Sequence, residues 1–357
     1  MEQKLLICTQ KIDKTDPVLG FFHEWVAEFS KHCESITVIC LEKGEYSLPQ
    51  NVRVLSLGKE LKNSSIENSL KIVNWKLKIS YVFRFYKYIW MERKNYDSVF
   101  VHMNPEYIIL AGILWRFAGK KIVLWYNHNI GTWKTKIAII LSNFVCHTSP
   151  FAYTANTKKS IKMPAGINTE IFTMGKIVEE DKILYLGRIA PIKKIHILIE
   201  AAHILSKKQL KFKLNIYGDS LLRDRDYNQK VKRQAETLID LGIVNFFPGL
   251  PNMQTPEIYR SHKYFVNLTP KGNYDKTVLE AASCGCIPVA SSPAFLDFLG
   301  PELRFTEDEP ESLSKCLENL LLNKVKERDG YRFKLREYVV NNHNTSLLVK
   351  RVFDLYE

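Results

Sequence analysis

Short apolar runs alternate along this chain with longer segments whose apolar residues recur at helical spacing. In the first half, the short runs are rich in β-branched and aromatic residues and predict strands, whereas the longer segments predict helices. The predicted strands are residues 4–9, 35–40, 52–57, 98–103, 121–126 and 144–148, and the predicted helices are residues 21–31, 107–118 and 133–141. This alternation is typical of a parallel sheet covered by helices on both faces.

The alternation stops in the middle of the chain and then starts again. Residues 163–172 are rich in turn formers, and residues 173–181 read as a linker with a run of acids. Further strands are predicted at residues 183–186, 212–217, 244–247, 264–268 and 287–290, and further helices at residues 196–206, 227–241, 256–260, 277–284, 311–323 and 346–356. Because single cores stop growing near ~250–300 residues, a chain of 357 residues is expected to form two domains. Two successive Rossmann-like sheets would leave a cleft between them, which is a natural site for a reaction of two substrates.

The segment between Lys182 and Ala202 carries the most informative chemistry. A short strand stops at Gly187 and Arg188, a loop carries Lys193, and a segment with apolar residues at helical spacing follows. This order places an arginine and a lysine at the carboxyl end of a parallel strand, where open α/β sheets bind their ligands. Two cations in such a loop suit the charge of a diphosphate.

Composition and charge narrow the function classes only a little. Hydrophobic residues make up 46% of the chain and charged residues 25%, which are ordinary values for a globular protein. The net charge of +13 is compatible with nucleic acid, anionic lipid or phosphorylated substrates. The apolar run at the start is too brief for a signal peptide, and no long uncharged apolar stretch indicates a spanning helix. We therefore expect a cytoplasmic protein, in which the seven cysteines are buried thiols.

Three other function classes lack their motifs. No G-x-G-x-x-G follows the first predicted strand, where Thr9-Gln10-Lys11 stands instead, and this argues against an NAD-dependent enzyme. No recognised nucleic-acid-binding module occurs, so nucleic acid is not expected as a partner. Cys284 and Cys286 form a C-x-C without a second pair at zinc spacing, so no metal site is predicted.

A basic and aromatic stretch lies between Lys59 and Lys94. It holds nine cations against three acids, with seven aromatic residues interleaved. Cations and aromatics on one helix suit an anionic surface, such as the inner face of a membrane, to which the protein would bind peripherally. A helix with core aromatics and solvated lysines fits the same stretch, and both interpretations stay open.

Five pieces of the second half follow one another in order along the chain. They are residues 164–168 (PAGIN), Gly187-Arg188 with Lys193, residues 216–219 (IYGD), residues 247–249 (FPG), and residues 279–282 (LEAA) leading to 284–285 (CG) and 288–290 (PVA). In these pieces the chain resembles the family 4 glycosyltransferases, also described as glycosyl transferases group 1, over nearly its whole length. The resemblance implies the α/β fold called GT-B, with two Rossmann-like parallel-sheet domains facing each other across a cleft. Residues 1–172 would form the acceptor side, residues 173–340 would bind a nucleotide sugar, and residues 341–357 would form a helix that packs back on the first domain.

The resemblance also implies roles for single residues. Arg188 and Lys193 match the family's phosphate-binding pair and would stabilise the charge that develops on a leaving diphosphate, so no metal ion or other cofactor is required. Glu280 would accept hydrogen bonds from the two ribose hydroxyls of the nucleotide. The backbone N–H groups of Thr277 and Val278, in the first turn of a helix, would bind the diphosphate. The remaining predicted donor contacts in these motifs are Gly187, Gly218 and Gly249.

Some positions depart from the family pattern. Lys194 stands where the family usually has glycine. A second glutamate, eight residues before Glu280, contacts the donor sugar in the family, and Gly272 stands there in this chain. Asp275 and Lys276 are the polar residues nearest to the expected sugar position, and Asp275 is predicted to take over part of that contact. Asp275 also fits the N-cap of the following helix, and the two roles are compatible.

Histidines at strand ends are the candidates on the acceptor side. His128 follows a predicted strand and matches a family histidine that faces the donor sugar, and His102 ends the preceding strand. An imidazole there can hydrogen-bond a sugar hydroxyl or orient the acceptor. For both, a histidine with only a structural hydrogen bond is the competing interpretation. Asp13, Asp16 and His23 are further residues compatible with an acceptor hydroxyl.

The predicted function is a retaining glycosyltransferase that moves a hexose from a nucleoside diphosphate sugar to a glycan or lipid-linked acceptor. No residue stands out as a covalent nucleophile, so the resemblance implies that acceptor and leaving group share one face of the sugar and that the phosphate assists deprotonation. The second hypothesis is a vestigial GT-B protein that binds nucleotide or a partner protein. Its support is the missing acid at Gly272.

Overall fold

The computed structural model of the chain describes residues 3–61, 71–176, 181–322 and 325–357. The chain forms two compact units, of which the first is Met1–Met163 together with Leu348–Glu357 and the second is Pro164–Leu347. The functional domain limits at residues 172 and 340 stay predictions, because compactness alone assigns no function to either unit.

The first unit is built on a sheet of seven parallel strands in the order β3-β2-β1-β4-β5-β6-β7. The strands are β1 Gln3–Ile12, β2 Cys33–Lys43, β3 Val52–Ser56, β4 Ser98–His102, β5 Lys121–Trp125, β6 Phe144–His147 and β7 Ser160–Lys162. The helices are α1 Gly20–Ser30, α2 Lys71–Glu92, α3 Pro105–Phe117 and α4 Trp133–Leu141. Side chains of β1 alternate between two apolar layers, as the period of a strand requires. Leu5 and Ile7 pack with α1 and the end of the chain, whereas Leu6 and Cys8 pack with α2, α3 and α4.

The second unit is built on a sheet of five parallel strands in the order β10-β9-β8-β11-β12. The strands are β8 Lys182–Leu186, β9 Lys213–Tyr217, β10 Val244–Phe247, β11 Tyr264–Asn267 and β12 Ile287–Ala290. The helices are α5 Ile195–Lys207, α6 Arg225–Gln234, α7 Glu236–Asp240, α8 Thr255–Arg260, α9 Thr277–Ser283, α10 Pro310–Leu322 and α11 Val325–His343. The last helix, α12 Thr345–Phe353, begins in this unit and belongs to the first unit from Leu348 onward. The predicted α/β class with two parallel sheets is confirmed.

The end of the chain packs within the first unit. The Tyr356 hydroxyl donates a hydrogen bond to the Val99 carbonyl over 2.9 Å, and Lys121 Nζ donates to the Tyr356 carbonyl over 2.6 Å. Phe353 lies edge-on against Phe29 of α1. The last residues therefore belong to the apolar layer of the first sheet, although they follow the whole second unit in sequence.

Two elements are absent from the predictions, namely the short strand β7 and the long helix α11. The sequence of α11 is too polar to show an apolar stripe, and among its described side chains only a few, such as Val339, are buried. Hydrogen bonds from its arginine side chains to backbone carbonyl groups hold this helix in place instead. Arg336 donates to the Phe172 carbonyl and Arg332 to the Gly285 carbonyl, each over 2.9 Å. Hydrophobic periodicity, which registers apolar burial, gives no signal for such a helix.

The basic and aromatic stretch forms α2 in part. Residues 62–70 and the side chains of residues 71–77 lie outside the described residues, and they include Lys62, Lys71, Trp75 and Lys76. In the described part, Phe85 and Ile89 are buried in the core, whereas Phe83 and Trp90 are exposed. The described aromatics are therefore divided between core and surface. Among the described residues, none of the helices combines the length and apolarity needed to cross a membrane.

Candidate active site

The order of strands in the second unit reverses at β8. From β8 the chain proceeds through β9 to β10 on one side, and then returns to the other side of β8 with β11 and β12. The loops that follow β8 and β11 thus leave neighbouring strands at the same edge of the sheet. This is the position at which open α/β sheets bind their ligands. The loop after β8 carries Arg188 and Lys193, and the loop after β11 carries Asp275.

Glycines after β8 and β9 allow two main chains to meet at this edge. The Gly187 N–H donates to the Tyr217 carbonyl over 3.0 Å. A Cβ atom on Gly218 would lie only 1.9 Å from the carbonyl oxygen of Gly187, so any side chain there would collide with main chain. The third predicted glycine, Gly249, donates its N–H to the Asp219 carboxylate over 3.1 Å.

The loop after β8 carries three cations, and two of them, Arg188 and Lys194, differ in how free they are to bind a ligand. Arg188 is exposed, and within the described residues its side chain has no hydrogen bond or ion pair. Lys194 lies 2.8 Å from Glu307 and 2.6 Å from Asp308, so its ammonium group is already neutralised. Its backbone has a φ of +49°, in the left-handed region that glycine adopts without cost, which accounts for glycine as the usual residue at this position.

Lys193 is held by a carboxylate of its own chain. Its Nζ donates to Asp275 Oδ2 over 2.7 Å and to Thr269 Oγ1 over 3.0 Å. Thr269 Oγ1 also donates to Asp275 Oδ2 over 2.8 Å, and Asp275 Oδ1 accepts from both the hydroxyl (2.8 Å) and the backbone N–H (3.3 Å) of Thr277. Burial raises the pKa of Asp275, but the charge of Lys193 and these hydrogen bonds outweigh burial and lower that pKa well below its ordinary value.

These donors are the kind that a phosphate group requires. An ammonium, two hydroxyls and a backbone N–H converge on one carboxylate, and phosphate oxygens accept from the same groups. The Val278 N–H donates to the Asp275 carbonyl over 3.3 Å. In this structure Asp275 therefore fills an anion position at the switch point of the sheet. Lys276, and not Asp275, occupies the N-cap position of α9.

Lys276, which directly precedes α9, and Glu280 of that helix carry opposite charges that influence each other; Lys276 is half-buried and Glu280 is buried. Lys276 Nζ donates to the Gly166 carbonyl over 3.1 Å. Glu280 accepts from Asn252 Nδ2 over 3.2 Å and from the Tyr259 hydroxyl over 3.4 Å. Burial lowers the pKa of Lys276 and raises the pKa of Glu280, and the opposite charge of each partner works against both shifts. Glu280 is thus a buried carboxylate whose hydrogen bonds, from Asn252 and Tyr259, come from neutral donors, as those from ribose hydroxyls would.

Gly272 has a backbone conformation that explains why no glutamate stands there. Its φ is +94°, which L side chains rarely adopt. We expect Gly272→Glu to lower the free energy of unfolding by about 1–3 kcal/mol through backbone strain, without adding a sugar contact. Denaturant unfolding beside Asn273→Glu, at the next position in the loop, measures this difference. Equal stability of the two variants would show that the loop relaxes and that strain is not the reason.

The two predicted histidines of the first unit lie in different surroundings. His128 is exposed, its ring lies 5.5 Å from that of Tyr126, and partial desolvation lowers its pKa. His102 is buried and stacks on Phe22 with ring centroids 4.1 Å apart, while its Nδ1 lies 3.3 Å from Thr9 Oγ1. A buried, stacked imidazole has the surroundings of a core residue, whereas His128 is open to a ligand.

The acids after β1 bind a lysine. Lys11 Nζ lies 3.1 Å from Asp13 and 2.9 Å from Asp16. His23 is buried, and its Nε2 accepts a hydrogen bond from the Ser47 N–H over 3.1 Å. Among the described residues, these acids included, no group of three or more His, Cys, Asp or Glu side chains is placed to hold a metal ion.

Three site residues were missed in the sequence. Thr269 shares both Lys193 and Asp275, and Asn252 and Tyr259 hold Glu280. Thr269 lies just after a predicted strand, on the same sheet edge as the cationic loop. This position in the sequence could have identified it as a site residue. Asn252 and Tyr259 come from the short helices after β10, whose approach to Glu280 depends on packing and leaves no local pattern.

The chain is similar in sequence to one family model and in fold to several solved structures. Residues 167–341 match the family model described as glycosyl transferases group 1. Among solved structures, HepE from Anabaena in complex with UDP is similar with a TM-score of 0.75 and 13% identity, and 98% of both chains is covered. Sucrose-phosphate synthase from Thermosynechococcus elongatus is similar with a TM-score of 0.72 and 13% identity, covering 99% of this chain and 98% of that one. A TarM variant from S. aureus, in complex with Fondaparinux, alpha-GlcNAc-glycerol and UDP, has a TM-score of 0.72, 12% identity, and coverage of 99% and 100%. No curated protein matches the sequence. At these identities the similar structures establish the fold.

Proposed function

Because this chain belongs to the glycosyl transferases group 1 family, through residues 167–341, we propose that it is a retaining transferase acting on nucleoside diphosphate sugars. It moves a hexose to a glycan or lipid-linked acceptor. The observation that carries this proposal is the cluster at the switch point of the second sheet. There, a cationic loop with Arg188 and Lys193 meets the loop that leads to the buried carboxylate of Glu280.

Arg188 and Lys193 stabilise the leaving group in this proposal. When the bond between the anomeric carbon and the phosphate oxygen breaks, its electron pair stays on the diphosphate and adds negative charge there. Fixed cations at that charge lower the barrier to departure. Arg188 is exposed and has no ion pair among the residues that the structure describes, and Lys193 is already bound to an anion; both observations support the assignment. The proposal requires neither a metal ion nor another cofactor.

Glu280 anchors the nucleotide in this proposal. A carboxylate accepts hydrogen bonds from two vicinal hydroxyls together, and Asn252 and Tyr259 hold it through neutral donors that ribose can replace or join. Two of the similar structures, HepE and TarM, were solved with UDP. UDP is therefore the first nucleotide to test for this chain.

On the acceptor side, we assign the hydroxyl contact to His128. It is the exposed one of the two predicted histidines, and its lowered pKa keeps the imidazole neutral near pH 7, so that it can both donate and accept a hydrogen bond. The acceptor attacks from the face that the diphosphate leaves, and the departing phosphate takes the proton of the acceptor hydroxyl. The anomeric configuration is retained.

The alternative of a vestigial protein also has an observation in its favour. Asp275 fills the position that the diphosphate needs, and Gly272 replaces a sugar-binding acid. Such a protein would bind nucleotide weakly or not at all and would release no sugar. Turnover of a donor separates the two functions, since only the transferase frees sugar or extends an acceptor.

We expect Glu280→Gln to weaken UDP binding about tenfold, because a hydrogen bond to a charged acceptor becomes one to a neutral amide. Calorimetric titration of UDP, beside GDP, ADP and dTDP as other bases, measures the change, and release of sugar from the corresponding nucleotide sugars is followed in parallel. Glu311→Gln, an exposed glutamate of α10, is the matched control. A wild type that binds none of the nucleotides would contradict the proposed donor site. If Glu280→Gln and Glu311→Gln bound UDP with equal affinity, Glu280 would not be part of the donor site.

A further inference from the structure

The helices on one face of the first sheet expose many large apolar side chains. The helix-end surface, as we call it, consists of Trp90 and Met91 of α2, Ile113, Leu114 and Phe117 of α3, and Ile137 and Ile140 of α4. Phe117 is 89% exposed, Trp90 68% and Ile140 67%. Contiguous exposed apolar residues of this size mark interaction sites in soluble proteins more often than they occur by chance.

Most of these side chains belong to the same end of the helix layer. Each of the three helices follows one strand and precedes another of the same parallel sheet, so all three run opposite to the strands. Their C-terminal ends therefore lie at one edge. Trp90 and Met91 belong to the last turn of α2, Phe117 ends α3, and Ile140 is next to last in α4. Side-chain contacts join neighbouring helices, since the Tyr86 hydroxyl of α2 donates to the Leu110 carbonyl of α3 over 2.8 Å.

The charges on the same helices are mostly positive. On α2, the exposed residues Phe83, Lys87 and Trp90 recur at helical spacing. Just after the helix, Lys94 is exposed, and Arg93 covers the Trp90 ring at 4.2 Å. Exposed Arg116 belongs to the last turn of α3.

Acids contribute little to this surface. In the described parts of the three helices there are two, and both are paired. Glu92 is buried against Arg53 over 2.8 Å, and Glu106, in the first turn of α3 and so at the opposite end, lies 2.9 Å from Lys134. The exposed Asp97 after α2 leaves the cations in excess.

We propose that the helix-end surface docks on an anionic lipid membrane. Aromatic and aliphatic side chains would enter the interface, while the cations meet lipid headgroups. The exposed apolar side chains match the apolar part of the membrane interface, and the cations around them match its anionic headgroups. A second copy of the chain fits less well, because it would bring two surfaces of like charge together.

The proposal is tested by co-sedimentation of the full chain with vesicles at physiological salt. One set contains phosphatidylglycerol and phosphatidylcholine in equal parts, and the other contains phosphatidylcholine alone. We expect binding to the first set, lowered about tenfold by Trp90→Ser with Phe117→Ser. Lys87→Gln with Lys94→Gln is expected to lower it about fivefold for each removed cation. Leu222→Ser with Lys230→Gln, exposed positions in the second unit, is the matched control and should bind as the wild type does.

The wild type, the control and both variants are also analysed by light scattering and UDP titration. Absence of vesicle binding, or binding that both variants retain in full, would overturn the proposal. Equal binding to both vesicle sets would overturn its anionic part. A different result would assign the surface to a second copy of the chain: the wild type forms a dimer and does not bind vesicles, and the variant Trp90→Ser with Phe117→Ser is a monomer. None of these outcomes depends on sugar transfer, and UDP affinity reports separately on the donor site.

Discussion

Replacement of Lys193 by methionine is expected to lower the rate of sugar transfer about 10²–10³-fold. Lys193 is the cation that the structure already shows bound to an anion, 2.7 Å from Asp275 Oδ2, at the switch point of the second sheet. In the proposed reaction a phosphate oxygen takes that place as the sugar leaves. The loss should appear mainly in kcat, because the negative charge on the leaving group is largest in the transition state. Steady-state kinetics with the donor identified by the nucleotide screen measures it.

A stability effect accompanies this variant and needs its own control. Lys193→Met leaves the largely buried Asp275 carboxylate without its cation, which is expected to cost about 3 kcal/mol in the free energy of unfolding. The double variant Lys193→Met with Asp275→Asn removes both charges and should recover most of that stability. Its rate of transfer should stay low. A double variant that regains both stability and activity would show that Lys193 acts through folding and not through the leaving group.

Asp275→Asn alone is expected to act in the opposite direction and to tighten binding of a diphosphate about 10–100-fold. In the proposed donor site of the wild type, an incoming phosphate would displace a carboxylate that accepts from Lys193, Thr269 and Thr277. A charged hydrogen bond contributes about 1.5–3 kcal/mol, and the asparagine forms a weaker one with the same outline. Because the pKa of Asp275 is lowered, the carboxylate stays ionised at any pH suitable for an assay, and the competition is present throughout.

Titration with inorganic pyrophosphate tests this expectation independently of the base, the sugar and the acceptor. Asp308→Asn is the matched control, since Asp308 pairs with the neighbouring Lys194 over 2.6 Å. Its affinity for pyrophosphate should equal that of the wild type. Weaker binding to Asp275→Asn would mean that Asp275 supports the bound anion, and an unchanged affinity combined with slower transfer would favour the sugar contact predicted from the sequence.

Elements with an apolar period were predictable, and elements held by polar groups were not. Apart from the three-residue strand β7, none of whose residues is fully buried, the strands of both sheets and the helices that cover them are visible as apolar periods, since burial against a sheet requires those periods. The predicted helix at residues 227–241 is divided at Ala235 into α6 and α7. Helix α11 was not predicted, because hydrogen bonds from Arg332 and Arg336 to backbone carbonyl groups hold it in place and leave no apolar period.

The positions of the candidate donor residues were also predictable, but their partners were not. Gly187, Arg188 and Lys193 follow a strand, and the residues before Glu280 follow another, so strand order alone brings them to one sheet edge. The anion that Lys193 binds could not be predicted in this way. Its contact with Asp275 spans 82 residues of sequence, and a single chain carries no local mark of a pairing at that separation.

The sequence by itself determined two parallel sheets, the edge of the second sheet at which the cations lie, and the types of residue available there. These follow from periodicity and from the direction of parallel strands, which are local properties. Only the tertiary structure decided that Asp275 fills the anion position, that Lys194 is neutralised by Glu307 and Asp308, and that His102 is stacked in the core while His128 is exposed. The physical reason is that pairing and burial of a side chain depend on groups distant in sequence, whose approach is set by the packing of whole elements.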